Sequence, residues 1–278
     1  MKTFKLMLIL ATVAMVAVSC GPKKEKQKAL VLYYSQTGNT KAVAQEIASR
    51  MDADMEEILP VKPYDPDFKA TIERCLQDQE QGNKTEIKPV AADLAKYDII
   101  FLGYPIWFGT YAPPIATFLE QVDLSGKTVV PFCTFGSGGL ESSIKDLTKH
   151  QPNANINAGY GVRAARLKAM PKEIDRFLKE FHFIEGDFYK PGDFSELQPV
   201  TEAEEAIFNA AVGDYPMMNA KAEMVCARPI PHGMEYLFLA KDMPREDNPD
   251  MPPAGEMKVY VTALDGETPE FTQVVRQM

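Results

Sequence analysis

Apolar residues along this chain fall into short unbroken runs, separated by stretches in which they recur every three or four positions. Residues 29–34 (ALVLYY), 99–103 (IIFLG) and 127–133 (KTVVPFC) are runs of strand length. Lacking polar alternation, they fit strands covered on both faces, as in a parallel sheet. Between them, Val43, Ile47, Ala48 and Met51 keep helical spacing over 40–51, and Ile115, Phe118, Leu119 and Val122 do so after Pro113 and Pro114, a pair suited to a helix start. Leu140, Ile144 and Leu147 predict a further helix, and Ile174, Phe177, Leu178 and Phe181 one over 171–181. Weaker strands are expected at 55–59 and 155–162, and a helix at 68–80. Strand and helix thus alternate about five times between 29 and 184, which predicts an α/β unit with a five-stranded, doubly wound parallel sheet.

Past Phe183 the pattern changes. Residues 185–199 are rich in Pro, Gly and acid and read as a linker. Over 201–212 a helix is predicted, with Thr201 as N-cap and Glu202, Glu204 and Glu205 in the first turn, where the helix dipole favours anions. Four strand-like runs follow at 221–228, 234–240, 257–264 and 271–276, parted by turns. One helix and four strands predict a smaller α+β unit over 200–278, a helix on an antiparallel sheet. The order of elements resembles the cystatin layout, but the Gln-x-Val-x-Gly hairpin of protease-inhibiting cystatins is absent, so a docking or stabilising module is expected.

The first twenty residues stand apart. Lys2 and Lys5 precede an apolar run over 6–18 that is too short to span a bilayer, and Ala17-Val18-Ser19-Cys20 follows. This layout resembles a secretory signal ending in a bacterial lipobox. The resemblance implies lipidation of Cys20, a polar tether over 21–28 (GPKKEKQK), and a protein exported to the bacterial cell envelope, lipid-anchored on its periplasmic side.

Composition changes this picture little. The formal net charge is −9, and residues 190–278 hold 16 acidic against 7 basic residues. That balance opposes binding to nucleic acid or to anionic membrane surfaces. Cys75, Cys133 and Cys226 show no metal-ligand spacing, and His150, His182 and His232 are scattered, so no metal site is expected. Cys133, within an apolar run, is expected as a buried small hydrophobe.

The chemistry is expected in three loops. Ser35, Gln36, Thr37, Gly38, Asn39 and Thr40 leave the first strand and open a helix. A helix N-terminus offers free N–H groups and a partial positive charge to a phosphate. No GxxxxGK[ST] occurs, and the loop has no Lys or Arg, which fits one phosphate monoester held by neutral donors. The second loop, Pro105, Ile106, Trp107, Phe108 and Gly109 running to Thr110, follows the third strand. The third, Thr134, Phe135, Gly136, Gly138 and Gly139, follows the fourth. Both leave carboxyl ends of strands, where open α/β sheets hold ligands.

With these loops in this order, Ser-Gln-Thr-Gly-Asn-Thr is similar to the phosphate loop of the flavodoxin family. The resemblance covers about 155 residues, Gly-Tyr-Pro-Ile-Trp-Phe-Gly and Pro-Phe-Cys-Thr included. It implies FMN as cofactor, the phosphate on 35–40 and the isoalloxazine ring against the other two loops, Trp107 and Phe108 supplying an aromatic wall. It also implies electron transfer to or from a redox partner protein or a small-molecule donor or acceptor, with no catalytic side chain required. An NAD(P)H- or quinone-dependent FMN reductase on the same fold, and a binding lipoprotein without catalysis, are the alternatives.

Overall fold

A computed structural model describes residues 27–213, 215, 218–244 and 255–276. The signal, lipobox and Cys20 assignments, and the tether up to residue 26, lie outside the described residues. The parallel sheet has the order β2-β1-β3-β5 (Asp54–Glu57, Ala29–Tyr33, Ile99–Trp107, Thr128–Phe135), and its fifth position is shared by β6 (Asn155–Ile156) and β7 (Tyr160–Arg163). A two-residue strand β4 (Thr110–Tyr111) folds back on the end of β3. Helices α1 (Asn39–Met51), α2 (Phe68–Gln81), α3 (Pro113–Gln121), α4 (Leu140–His150) and α5 (Met170–Glu180) are the crossovers.

The unbroken apolar runs are explained by two cores, one on each face. In β1, Leu30 and Leu32 point into a core with Ile100, Leu102, Ile115, Phe118 and Leu147, on the side of α3 and α4. Their neighbours Val31 and Tyr33 point into the other, with Val43, Ile47, Phe101, Val130, Phe132, Ile174 and Phe177, on the side of α1 and α5. Each fully buried side chain of this kind is worth about 1.5–3 kcal/mol, so period-two alternation would leave one face without its cover. Cys133 is wholly buried, and Cys75, Cys133 and Cys226 are free and buried. Burial pushes the Cys133 thiol far above its ordinary range, as suits a packing residue rather than a nucleophile.

Three boundaries differ from the sequence expectation. Strand β3 continues past Gly103 to Trp107, because Pro105 pairs with Thr134 and Ile106 and Trp107 pair with β4, so half of the expected aromatic loop is a hairpin. The expected strand at 155–162 breaks in two around Gly159, where a Cβ would lie 2.8 Å from the Pro131 carbonyl oxygen. The linker is partly structured. Gln198–Pro199 forms β8 against the second sheet, and the Ser195 N–H donates to the Ala227 carbonyl.

That second sheet is antiparallel in the order β12-β11-β10-β9-β8, with β9 Ala220–Ile230, β10 Gly233–Asp242, β11 Glu256–Leu264 and β12 Glu270–Arg276. Helix α6 (Glu202–Val212) lies on one face, its Phe208 and Val212 meeting Val225, Phe238, Val259, Val261 and Phe271. A capping box starts α6: the Glu204 N–H donates to the Thr201 hydroxyl oxygen, and the Glu204 carboxylate accepts from the Thr201 N–H. The helix-on-sheet expectation holds, with β8 as a fifth strand. Strand β12 is an edge of this sheet and lies against the carboxyl end of the first one.

Candidate functional site

At the carboxyl end of β1 the chain turns through Ser35–Thr40 into α1. Gly38 sits at φ +90°, a left-handed conformation that a side chain would strain, and nothing stands within 4 Å of where its Cβ would be. Its N–H donates to the Ser35 hydroxyl at 3.1 Å, and the first helical bond runs from the Ala42 N–H to the Gly38 carbonyl. Among the described residues, the N–H groups of Gln36, Thr37, Asn39, Thr40 and Lys41 therefore find no acceptor. No acidic side chain stands in the first turn of α1 to compete for them. Five clustered amide donors at a positive helix end make a seat for a compact oxyanion. The Gln36 amide group is committed elsewhere, donating to the Asp65 carbonyl and, at 2.7 Å, to the Thr71 hydroxyl. Thr40 is buried, and its hydroxyl pairs with that of Thr134 at 2.8 Å, which joins the first loop to the third.

The second loop is the turn of the β3–β4 hairpin. Phe108 and Gly109 have φ +50° and +82°, the pair of positive values that two-residue hairpins favour. Phe108 is 65% exposed at its tip. Trp107 is half-buried and meets two rings edge to face, Tyr64 at 4.9 Å and Tyr34 at 5.9 Å between centroids. The Tyr64 hydroxyl shares a 2.6 Å bond with Thr85, and the Arg74 guanidinium lies 3.8 Å over its ring. Burial raises the pKa of both tyrosines, so they stand as neutral phenols. The buried Thr110 hydroxyl in the same hairpin has no hydrogen-bond partner among the described residues.

The third loop is engaged on both flanks. Thr134 and Phe135 are the buried last residues of β5. Gly139, at φ +113°, caps α4 and packs on the hairpin, since a Cβ there would lie 2.5 Å from Ile106 Cγ2. The Ser142 hydroxyl donates to the Gly109 carbonyl, a second tie between these loops. Gly136 and Gly138 meet the C-terminal unit instead. A Cβ on Gly136 would lie 2.8 Å from the Tyr215 hydroxyl, and one on Gly138 would collide with the Val274 carbonyl. The Ser137 carbonyl accepts the Val274 N–H at 2.6 Å.

All sixteen expected site residues thus stand at one sheet edge, joined through Thr40–Thr134, Gly139–Ile106 and Ser142–Gly109. Sequence reasoning missed Tyr34, Tyr64, Thr110 as an unpaired hydroxyl, and Arg163. Tyr34 closes the first apolar run, directly before the phosphate loop, and was the readable signal among them. A cavity of about 400 Å³ lies at the other end of the helices, by Leu119, Val122 and Gln151. The Gln151 side chain there is fully bonded to Leu119, Val122 and Leu124. Among the described residues no cluster of His, Cys, Asp and Glu could hold a metal ion.

A sequence model of the flavodoxin family matches residues 28–179. The chain belongs to the flavodoxin family. Similar solved structures include a protein of Bacteroides eggerthii assigned as a flavoprotein, 32% identical, covering 54% of this chain and 96% of its own, with a TM-score of 0.46. A Lactobacillus acidophilus flavoprotein in complex with FMN is 30% identical over 54% of this chain and 97% of its own, with a TM-score of 0.45. Flavodoxin 2 of Bacillus cereus is 19% identical over 55% of this chain and 99% of its own, with a TM-score of 0.36. The C-terminal sheet of this flavodoxin lies beyond the residues matched by the family model.

Proposed function

We propose that this chain is an FMN-binding electron carrier tethered at the bacterial envelope. The observation that carries the reading is the set of five amides at the start of α1 that find no acceptor among the described residues, with no acidic competitor in its first turn. FMN has one phosphate monoester, and that group suits neutral donors at a helix end. Family membership supports the flavin, as does the FMN complex of the Lactobacillus acidophilus relative. The residues fit the group. Gln36, Thr37, Asn39, Thr40 and Lys41 would hold the phosphate through backbone N–H groups, and the Thr110 hydroxyl, unpaired among the described residues, stands in the adjoining hairpin.

When bound, FMN supplies reversible redox chemistry. The chain's own part is to bind and orient. Trp107 is fixed by Tyr34 and Tyr64 from the core side, so its position is set before any ligand arrives. The neighbouring phenols and the Cys133 thiol keep their protons, so they add no charge at the loops over the ordinary pH range. Transfer of a single electron needs no acid–base pair, which fits a carrier working with a redox partner. Exposed Phe108, at the tip of the hairpin, is the apolar group presented to such a partner.

The envelope location rests on residues 1–20, with Cys20 as the lipidated residue. Among the described residues no helix is long and apolar enough to cross a membrane. Stopped-flow mixing of the flavin-loaded protein with NADH or NADPH separates the two redox readings. Slow or absent bleaching of the visible flavin band is expected. Rapid bleaching by either nucleotide would make the protein a reductase. A chain that stays colourless with FMN would leave only the role of a binding lipoprotein.

A further inference from the structure

Arg163 ends β7, directly opposite Phe135 in the parallel ladder, so its backbone is fixed at the base of the third loop. Its side chain is 9% exposed. Nε donates to the Gly136 carbonyl at 2.8 Å, and Nη1 donates to the Phe271 carbonyl of β12 at 3.1 Å. The guanidinium carbon lies 3.3 Å from the centroid of the Phe271 ring and 5.3 Å from that of Tyr215. Among the described residues, the partners of this buried cation are therefore two carbonyls and two aromatic faces. The nearby carboxylate of Glu270 is bound instead by Arg166 at 3.1 Å and Lys168 at 3.4 Å. A cation in such surroundings is costly unless its geometry is well met, so each of these contacts is held tightly.

The contact continues along the loop. Val274 directs its N–H away from its own sheet to the Ser137 carbonyl, and Gly138 lies so close to the Val274 carbonyl that a methyl group could not be placed between them. The loop thus covers the free edge of β12, and β12 in turn fixes the loop. On its other flank the loop touches Ile106 through Gly139, and Ile106 precedes Trp107 in the hairpin.

We infer that Arg163 is a positioning residue, joining Gly136 to Phe271 so that the C-terminal unit sets the conformation of loop 136–139 and, through Ile106, of the wall that meets the flavin. The inference rests on the FMN reading. It gives the C-terminal unit a role in the cofactor site that a tethered spectator would not have. Arg is required because one planar group must reach two carbonyls while lying on a ring, which an ammonium cannot do.

The test uses the full chain with Arg163→Gln, and separately Val274→Pro, which removes the interdomain N–H at a position where β12 donates nothing to β11. Hydrogen exchange is measured on the protein without flavin, and FMN affinity and the visible circular dichroism of bound FMN on the same variants. Both variants should speed exchange of the Ser143 amide, which donates to the Gly139 carbonyl of the loop, and Arg163→Gln also that of the Val274 amide, which donates to Ser137, by about tenfold or more, as expected for loss of a charge-assisted or buried bond, with the β1 and α1 amides unchanged. Both should weaken FMN binding by about tenfold and alter the flavin dichroism, and Arg163→Lys should restore little of either. Unchanged exchange at Ser143 and Val274 would overturn the inference. So would faster exchange with wild-type affinity and dichroism. Wild-type protein that takes up no FMN, with exchange still quickened in the variants, would overturn the flavin reading and the positioning role with it, leaving a purely structural clamp.

Discussion

Two glycine-bearing loops lie at the same sheet edge of this flavodoxin-family chain, and they use glycine for opposite reasons. At Gly38 nothing stands within 4 Å of where a Cβ would be, and the residue is required by its φ of +90°. At Gly136 and Gly138 the requirement is space itself, since Tyr215 and Val274 of the C-terminal unit fill the place of a side chain. One loop offers amides that find no acceptor among the described residues. The other is closed on both flanks, by Ile106 on one side and by β12 on the other. A glycine-rich loop at a ligand-binding edge is therefore no proof of ligand contact. What separates the two is where the backbone donors go and what stands against the missing Cβ.

The strongest way to break this contrast is Gly138→Ala. Its Cβ meets the backbone of β12, which cannot move alone, so the substitution should cost about 1–3 kcal/mol and loosen the C-terminal unit, seen as a lower calorimetric Tm and faster proteolysis at 185–197. An unchanged Tm would mean the loop is not clamped. Gly38→Ala should cost less in stability, about 1–2 kcal/mol, because only the left-handed backbone opposes it. Its larger consequence should be weaker FMN binding, and a variant of normal affinity would show that the loop tolerates a shifted amide row. A double-mutant cycle of Arg166→Ala with Glu270→Ala sharpens the interface further. The pair joins a buried guanidinium to a partly exposed carboxylate, and a coupling of about 1 kcal/mol is expected in denaturant unfolding. A coupling near zero would assign the interface energy to Arg163 and the loop alone.

The smallest effect lies far from both loops. The Thr201 N–H, with help from the Thr201 hydroxyl and Gln198, holds the Glu204 carboxyl below its ordinary range. A folded-state value below the unfolded one means a contribution fully present above the unfolded pKa and lost as pH falls through the folded one. Stability should therefore decline slightly more steeply below about pH 4 in wild type than in Glu204→Gln. FMN affinity should be the same in both proteins, and a shared loss of affinity would tie α6 to the cofactor site.

Much of the first sheet was legible because its signals are local. The runs at 29–34, 99–103 and 127–133 and the helical spacings between them need no knowledge of distant residues, and each became the expected element. The turn over 35–40 was readable for the same reason, since strand, glycine turn and helix are contiguous there. The aromatic setting of Trp107 was not, because Tyr34 and Tyr64 reach it only after the sheet has formed. Arg163 and Arg166 follow a short strand of weak pattern, and in sequence they look like ordinary surface charges. Their burial is created by β12, more than a hundred residues later. The same distance hid the closure of loop 136–139, where Tyr215 and Val274 stand against the missing Cβ of Gly136 and Gly138.

The central claim is that the amides following Ser35 seat the phosphate of FMN. Fluorescence titration of the flavin-free protein with FMN and, in parallel, with riboflavin tests it most directly. Saturable binding of one FMN per chain is predicted, with riboflavin, which lacks the phosphate, weaker by more than about tenfold, the loss expected for even one charge-assisted bond. No uptake of FMN, or equal affinity for the two flavins, would contradict the account.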